Sequence, residues 1–179
     1  MTALMAVSRF IDAANRIIGQ LAAFAMLAAC TISFLNALSR YAFSRSSNFW
    51  LEIQWYFFGA MFMLAAGYVL KLNEHVRVDL LYGLLGPRKR LWVDILGTFL
   101  FLMPACLVLG WLTFGMFWDS FISHEESTNA PGLKVWPALL MFPLGFALLF
   151  IQSISEVIKR IEALTGDITL DTSYEKPVQ

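Results

Sequence analysis

Few side chains in this chain have the type and spacing for chemistry, and most of those spacings argue against it. Glu52 and Asp94 are the one pair of carboxylates in apolar surroundings that could divide acid and base work. Each lies near the edge of a hydrophobic run, and the runs put the two toward opposite ends, too far apart to cooperate. His75 and His124 fall between runs, whereas a membrane haem needs axial ligands inside its helix bundle. Cys30 and Cys106 lie within runs. They read as small buried hydrophobes, and they can pair only where their two helices meet at that depth. No group of His, Cys, Asp and Glu has metal-ligand spacing. No nucleophile elbow, phosphate loop or zinc-protease pattern occurs. The sequence predicts no catalytic residue, no metal and no cofactor.

The elements that must position these residues follow from composition. Of 179 residues, 59% are hydrophobic and 15% charged, whereas a soluble domain carries about a quarter charged residues. Formal net charge is zero and gives no reason to expect a nucleic-acid partner. Charges are nearly missing from four runs, each long enough to cross a hydrocarbon core of ~30 Å at ~1.5 Å per residue. The expectation is an all-α membrane protein with spans near 17–38, 49–70, 91–118 and 135–155. These form one domain, 1–164, followed by a polar tail, 165–179. The first run, about 22 residues long, is followed by LNALSRYAF with no small-residue cleavage pattern, so it reads as a span and not as a removable signal.

Faces can be assigned within the spans. Gly19, Ala22, Ala25, Ala29, Ser33 and Asn36 share one side of helix 1 at ~100° per residue. Small residues let helix backbones approach closely in lipid, so this side should pack on another helix, with Asn36 satisfied across the contact. The preceding SRFIDAANRII is either an interfacial helix or the overhang of helix 1. Asn48 is the expected N-cap of helix 2, with Trp50, Trp55 and Tyr56 as an interfacial aromatic belt. Glu52 is expected in its first turn, either as a capping carboxylate or as an anchor for a partner's cation. Gly59, Met63 and Ala66 continue that face. Pro104 should kink helix 3. Asp94 can meet Arg90 one turn back or a group on another helix. The link Asp119 to Lys134 carries His124, Glu125 and Glu126, then turn signals at Asn129, Pro131 and Gly132. Helix 4 opens with Trp136 and Pro137, is bent or locally unwound at Pro143, presents Gly145, Gln152 and Glu156 on one side, and continues as EVIKRIEAL.

Basic residues set the orientation. With four spans, Arg9, Arg16, Lys71, Arg77, Arg88, Lys89, Arg90, Lys159, Arg160 and Lys176 fall on one side, and Arg40, Arg45 and Lys134 on the other. Ten against three places both termini and the central stretch Lys71 to Arg90 in the cytoplasm. Within that stretch, Asp79 can cap a short amphipathic helix on the membrane surface that ends at Gly86 before Pro87. Arg77 is a cation for lipid phosphate or for a subunit contact.

Several segments occur together in an order that resembles the small membrane subunit, DctQ type, of tripartite ATP-independent periplasmic (TRAP) transporters. They are SRYAF (Ser39 to Phe43), Trp50 and Glu52 opening helix 2, Gly59-Ala60 and Gly67 within it, and HVRVDLL (His75 to Leu81). Pro87-Arg88, Trp136-Pro137 and PLGFALL (Pro143 to Leu149) complete the set. The likeness runs from Asn36 to about Leu164. Many members have a second acid after the Trp-x-Glu, and here that place is Ile53. The resemblance implies a non-catalytic scaffold in the bacterial inner membrane. Its partners would be a large multi-span subunit, which couples transport to a sodium or proton gradient, and a periplasmic binding protein that delivers an organic acid. It also implies that Trp50, Glu52, Gly59, Arg77, Asp79 and Asp94 are candidates for subunit or lipid contact. Glu125 and Glu126 are candidates for meeting the binding protein. The alternative from a different class is an independent four-helix channel or carrier acting as a homo-oligomer.

Overall fold

The computed structural model describes residues 3–45, 47–73, 85–129 and 132–165. Among these residues, four helices are long and apolar enough to cross a membrane: α1 (Ala3–Phe43), α2 (Asn48–Leu72), α3 (Pro87–Ser123) and α4 (Trp136–Thr165). They run alternately up and down. The start of α1, the end of α2, the start of α3 and the end of α4 meet at one end. Lys71 reaches Asp12, Gln152 reaches Asp12, and Arg160 reaches Asp94. We call this the first end and the opposite one the second end. The expected interfacial helix with Asp79 and Arg77, His75, and most of the polar tail lie outside the described residues.

Packing centres on α4, which contacts α1, α2 and α3, while α1 and α2 also pack together. Helix α3 lies against α4 and has no comparable contact with α1 or α2 among the described residues. Small residues make the close approaches. A Cβ on Gly67 of α2 would lie 2.5 Å from Asn15 Oδ1 of α1 and 3.2 Å from the Leu148 carbonyl of α4. A Cβ on Gly145 of α4 would lie 2.7 Å from the Met63 carbonyl of α2. These backbones meet because neither glycine has a side chain, which is how helices associate where lipid supplies no hydrophobic drive. Gly19, Ala22 and Ala29 are buried on α1, as the small-residue face requires.

Several boundaries differ from the sequence reading. Of the two readings of the head, the structure shows the overhang: it is the unbroken first part of α1. At 41 residues, α1 is about 60 Å long, twice the hydrocarbon core, and its first turns dock on α4 through Ser8 and Asn15. Ser47, not Asn48, is the N-cap of α2, and its hydroxyl makes no capping hydrogen bond. The first turn of α2 therefore contains no acid, and Glu52 falls in the second turn. Pro104 acts through a π-helical turn, Thr98–Leu102. A proline lacks an N–H and crowds the carbonyl four residues back, and the wider turn accommodates both, with the Met103 N–H bonding to the Thr98 carbonyl. Pro143 sits inside a continuous α4.

Candidate functional site

The densest polar site lies at the first end, between α1 and α4. Ser8, Asp12 and Asn15 recur on α1 at spacings of four and three. Gln152, Ser155, Glu156 and Lys159 recur on α4 at three, one and three. Both sets fall on one helical stripe, and the two stripes face each other. Gln152 Nε2 donates to Asp12 Oδ1 at 2.8 Å and to Glu156 Oε1 at 3.2 Å, and Gln152 Oε1 accepts from Asn15 Nδ2 at 2.9 Å. Ser155 Oγ donates to Asp12 Oδ1 at 2.9 Å and lies 2.7 Å from Ser8 Oγ. Lys159 pairs with Asp12 at 3.2 Å and also with Glu156.

Two further helices join this cluster. From α2, Lys71 Nζ donates to the Asp12 carbonyl at 3.1 Å. From α3, Asp94 Oδ2 accepts from Arg160 Nε at 3.2 Å, while Arg160 Nη1 pairs with Glu156 at 2.5 Å. Three carboxylates thus meet Lys159 and Arg160 directly, and Lys71 adds a third positive charge. A buried charge left alone costs several kcal/mol, so it is tolerated only with partners of this kind. The acids hold cations within the chain, so none is a free general base. The arrangement works as a joint that fixes the register of four helices.

The second end is built differently. The described residues of the α3–α4 link, 124–129 and 132–135, pair as a small hairpin. The Ser127 N–H donates to the Leu133 carbonyl at 2.8 Å, Val135 donates to Glu125 at 3.1 Å, and Gly132, at φ 78°, takes the left-handed turn position. Lys134 Nζ pairs with Glu126 Oε1 at 2.6 Å. The hydrogen bond from Lys134, and then its charge, hold the Glu126 carboxyl below its usual range. Tyr56 of α2 donates to the Lys134 carbonyl at 3.0 Å, and the Trp136 ring meets Phe121 and Phe117 of α3 edge-on. Together these contacts clamp the hairpin to α2 and α3.

Most of the residues singled out from sequence are separated in space. Asp94 is engaged by Arg160 of another helix, one of the two contacts open to it. Glu52 is only 8% exposed, at the second end, and its Oε2 has no hydrogen-bond partner among the described residues. Glu52 and Asp94 belong to opposite ends, as the runs imply. Trp50 is 47% exposed, and a Cβ at Gly59 would meet open space. Glu125 and Glu126 are exposed on the hairpin. Cys30 is exposed, Cys106 is buried, and both are free thiols. No group of metal-ligating side chains occurs among the described residues. Gly145, Gln152 and Glu156 share a buried face, as expected.

The family segments sit at structurally definite points. SRYAF is the last turn of α1, Trp50 and Glu52 lie in the first two turns of α2, and PLGFALL carries Gly145 into its contact with Met63. The model of one family, described as tripartite ATP-independent periplasmic transporters, DctQ component, matches residues 29–163. The chain belongs to the DctQ family. No curated protein and no solved structure matches it significantly. It is accordingly a small membrane subunit of the TRAP transporter type, multi-pass, with four spans. The matched range begins in the middle of α1. The N-terminal half of the polar joint, Ser8 to Asn15, thus lies before the matched part of this DctQ chain, while its α4 half lies within it.

Sequence reasoning missed the joint as a unit. It left Asp12 inside a head that was either an interfacial helix or the overhang of helix 1, and grouped Gln152 and Glu156 only with Gly145. The usable signal was two polar stripes of matching helical period, one at the start of the first span and one at the end of the last. An up-and-down bundle with an even number of spans brings those two positions to the same membrane face.

Proposed function

We propose that this DctQ chain is a non-catalytic scaffold that holds the large membrane subunit of a TRAP transporter in place. The transporter takes up an organic acid delivered by a periplasmic binding protein and is driven by a sodium or proton gradient. In this reading the chain lies in the bacterial inner membrane with both termini cytoplasmic, so the polar joint faces the cytoplasm. The observation that carries the reading is where the polar groups lie. They lock four helices to each other at the first end, while Ala22, Ala29, Met63 and Gly145 are among the packed residues farther along the helices. A carrier must move, and it needs ionisable or unwound backbone groups near its centre. A joint of mutually paired charges does the opposite and keeps the helices in register.

The contact with the large subunit is assigned to Trp50, Glu52 and Gly59 on α2, with Arg77 and Asp79 beyond the described residues. Glu52 supports this. A buried carboxylate with an unpartnered oxygen is costly, and a partner's cation would relieve that cost once binding opens the side chain, which this chain alone covers. Gly59 offers room for a close helix, and large apolar side chains on α3, such as Phe101 and Trp111, are exposed. Asp94 is assigned to the internal joint, and Glu125 with Glu126 to the binding protein.

Co-expression with a large TRAP subunit and its binding protein tests the reading. The three proteins together should accumulate an organic acid in proteoliposomes under an ion gradient, and this chain alone should not. Gly59→Leu should fold normally yet lose co-purification with the large subunit, and Glu52→Gln should weaken it. Organic-acid transport by this chain alone would refute the scaffold.

A further inference from the structure

A recess of about 740 Å³ opens at the second end, where α1 passes into α2. This is well within the ~300–1,000 Å³ typical of small-molecule sites. Its shape follows from the connection. Ser44 takes a left-handed conformation, φ 55°, and the Arg45 N–H folds back to the Ser39 carbonyl at 3.4 Å. The turn thereby hangs Arg45 over the last turns of α1. One wall is polar, with Ser39, Ser44, Arg45 and Ser47 contributing three hydroxyls and a guanidinium. The deeper wall holds Asn36 and then the apolar Ile32 and Leu35, and Trp50 closes the side toward α2. No carboxylate lines the recess among the described residues.

We propose that this recess binds the phosphate headgroup of a membrane phospholipid, with an acyl chain lying along Ile32 and Leu35. Three features of different kind converge on that ligand. Among the described residues that line the recess Arg45 is the charged one, and guanidinium pairs with phosphate through short, charge-assisted hydrogen bonds. Ser47 stands at the start of α2, where it makes no capping bond and no acid follows in the first turn, so the positive helix end adds to the attraction for an anion. The polar wall passes directly into an apolar one belonging to a membrane span, and Trp50 sits at their boundary, the depth an indole prefers. A soluble anion would use the first two features and leave the third without purpose.

The test uses the full chain, delipidated in detergent and examined by native mass spectrometry. The probes are dioleoyl phosphatidylglycerol and sn-glycerol 3-phosphate, which share the phosphate but differ in the acyl chains. One phosphatidylglycerol should bind distinctly more tightly than the remaining lipid. Arg45→Gln should weaken it about tenfold, the effect of losing one charged hydrogen bond. Lys134→Gln, which removes another cation from the same end, should leave it unchanged. Arg45 is exposed, so its variant should melt like the parent. Equal retention by the Arg45 variant would overturn the site. Equal affinity for the acyl-free probe would overturn the lipid as its occupant.

Discussion

Arg160→Met should loosen the first end of α3 from α4. Arg160 is 7% exposed and joins Asp94 of α3 to Glu156 of α4. Methionine keeps the stem of the side chain and removes the charge. Glu156 retains Lys159 and the Gln152 amide, so it remains partly satisfied. Asp94 loses its ion pair with α4. A hydrogen bond to a charged group contributes about 1.5–3 kcal/mol, and removing one partner of a buried pair costs about 3–5 kcal/mol. The Asp94 side chain is 16% exposed and can recover some solvation, so about 3 kcal/mol is the expected loss. For a chain of this size, that lowers Tm by about 6–12 °C. Cys106 is buried on α3, so a thiol-reactive dye can follow its exposure on heating in a Cys30→Ala background. Asp94→Asn completes a double-mutant cycle, and the two substitutions together should cost well below the sum of the single ones. If Arg160→Met melts within about 2 °C of the parent and the cycle shows additivity, the pair is screened and the joint does not hold α3.

Cysteines placed at Ser8 and Ser155, whose hydroxyl oxygens are 2.7 Å apart, should form a disulfide in a background without Cys30 and Cys106. Non-reducing electrophoresis after mild oxidation reads this, and no crosslink would mean that the head does not dock on α4. Gly145→Ala should cost about 1–3 kcal/mol by overpacking, because the new Cβ meets the Met63 backbone. Gly115→Ala, where a Cβ meets nothing within 4 Å, should not destabilise, and thermal melts compare the two. On the hairpin, Glu126 has a lowered folded-state pKa. Its small contribution is therefore present above the unfolded pKa and lost as pH falls through the folded one. Carboxyl titration by NMR should find Glu126 below ordinary glutamates, and Lys134→Met should return it to them.

Much of this protein is decided locally and could be read from the chain. Four apolar runs, the small residues at Gly19, Ala22 and Ala29, and the shared face of Gly145, Gln152 and Glu156 depend only on composition and helical period. Those quantities exist before any helix meets another. The unequal spread of basic residues is equally a property of the sequence, because the membrane reads it one loop at a time. Boundaries were less legible. The α1 head reads equally well as a surface helix, since amphipathic periodicity is the same whether the polar face meets water or another helix. The displacement of Glu52 beyond the first turn of α2 turned on a single residue of capping.

Only the tertiary structure decided what the charged side chains do. Asp12 meets Gln152 across 140 residues and Asp94 meets Arg160 across 66, and no local rule pairs positions that far apart. That Asp94 reaches α4 required knowing that α3 lies on α4 and not on α1 or α2. The recess under Arg45 likewise depends on a left-handed Ser44 and on how far α1 extends before it ends. The sequence by itself determined how many helices cross the membrane and which faces could pack. Tertiary packing alone decided that the charges at one end neutralise each other in a rigid joint, because the cost of burying a charge is met only by groups that folding brings together.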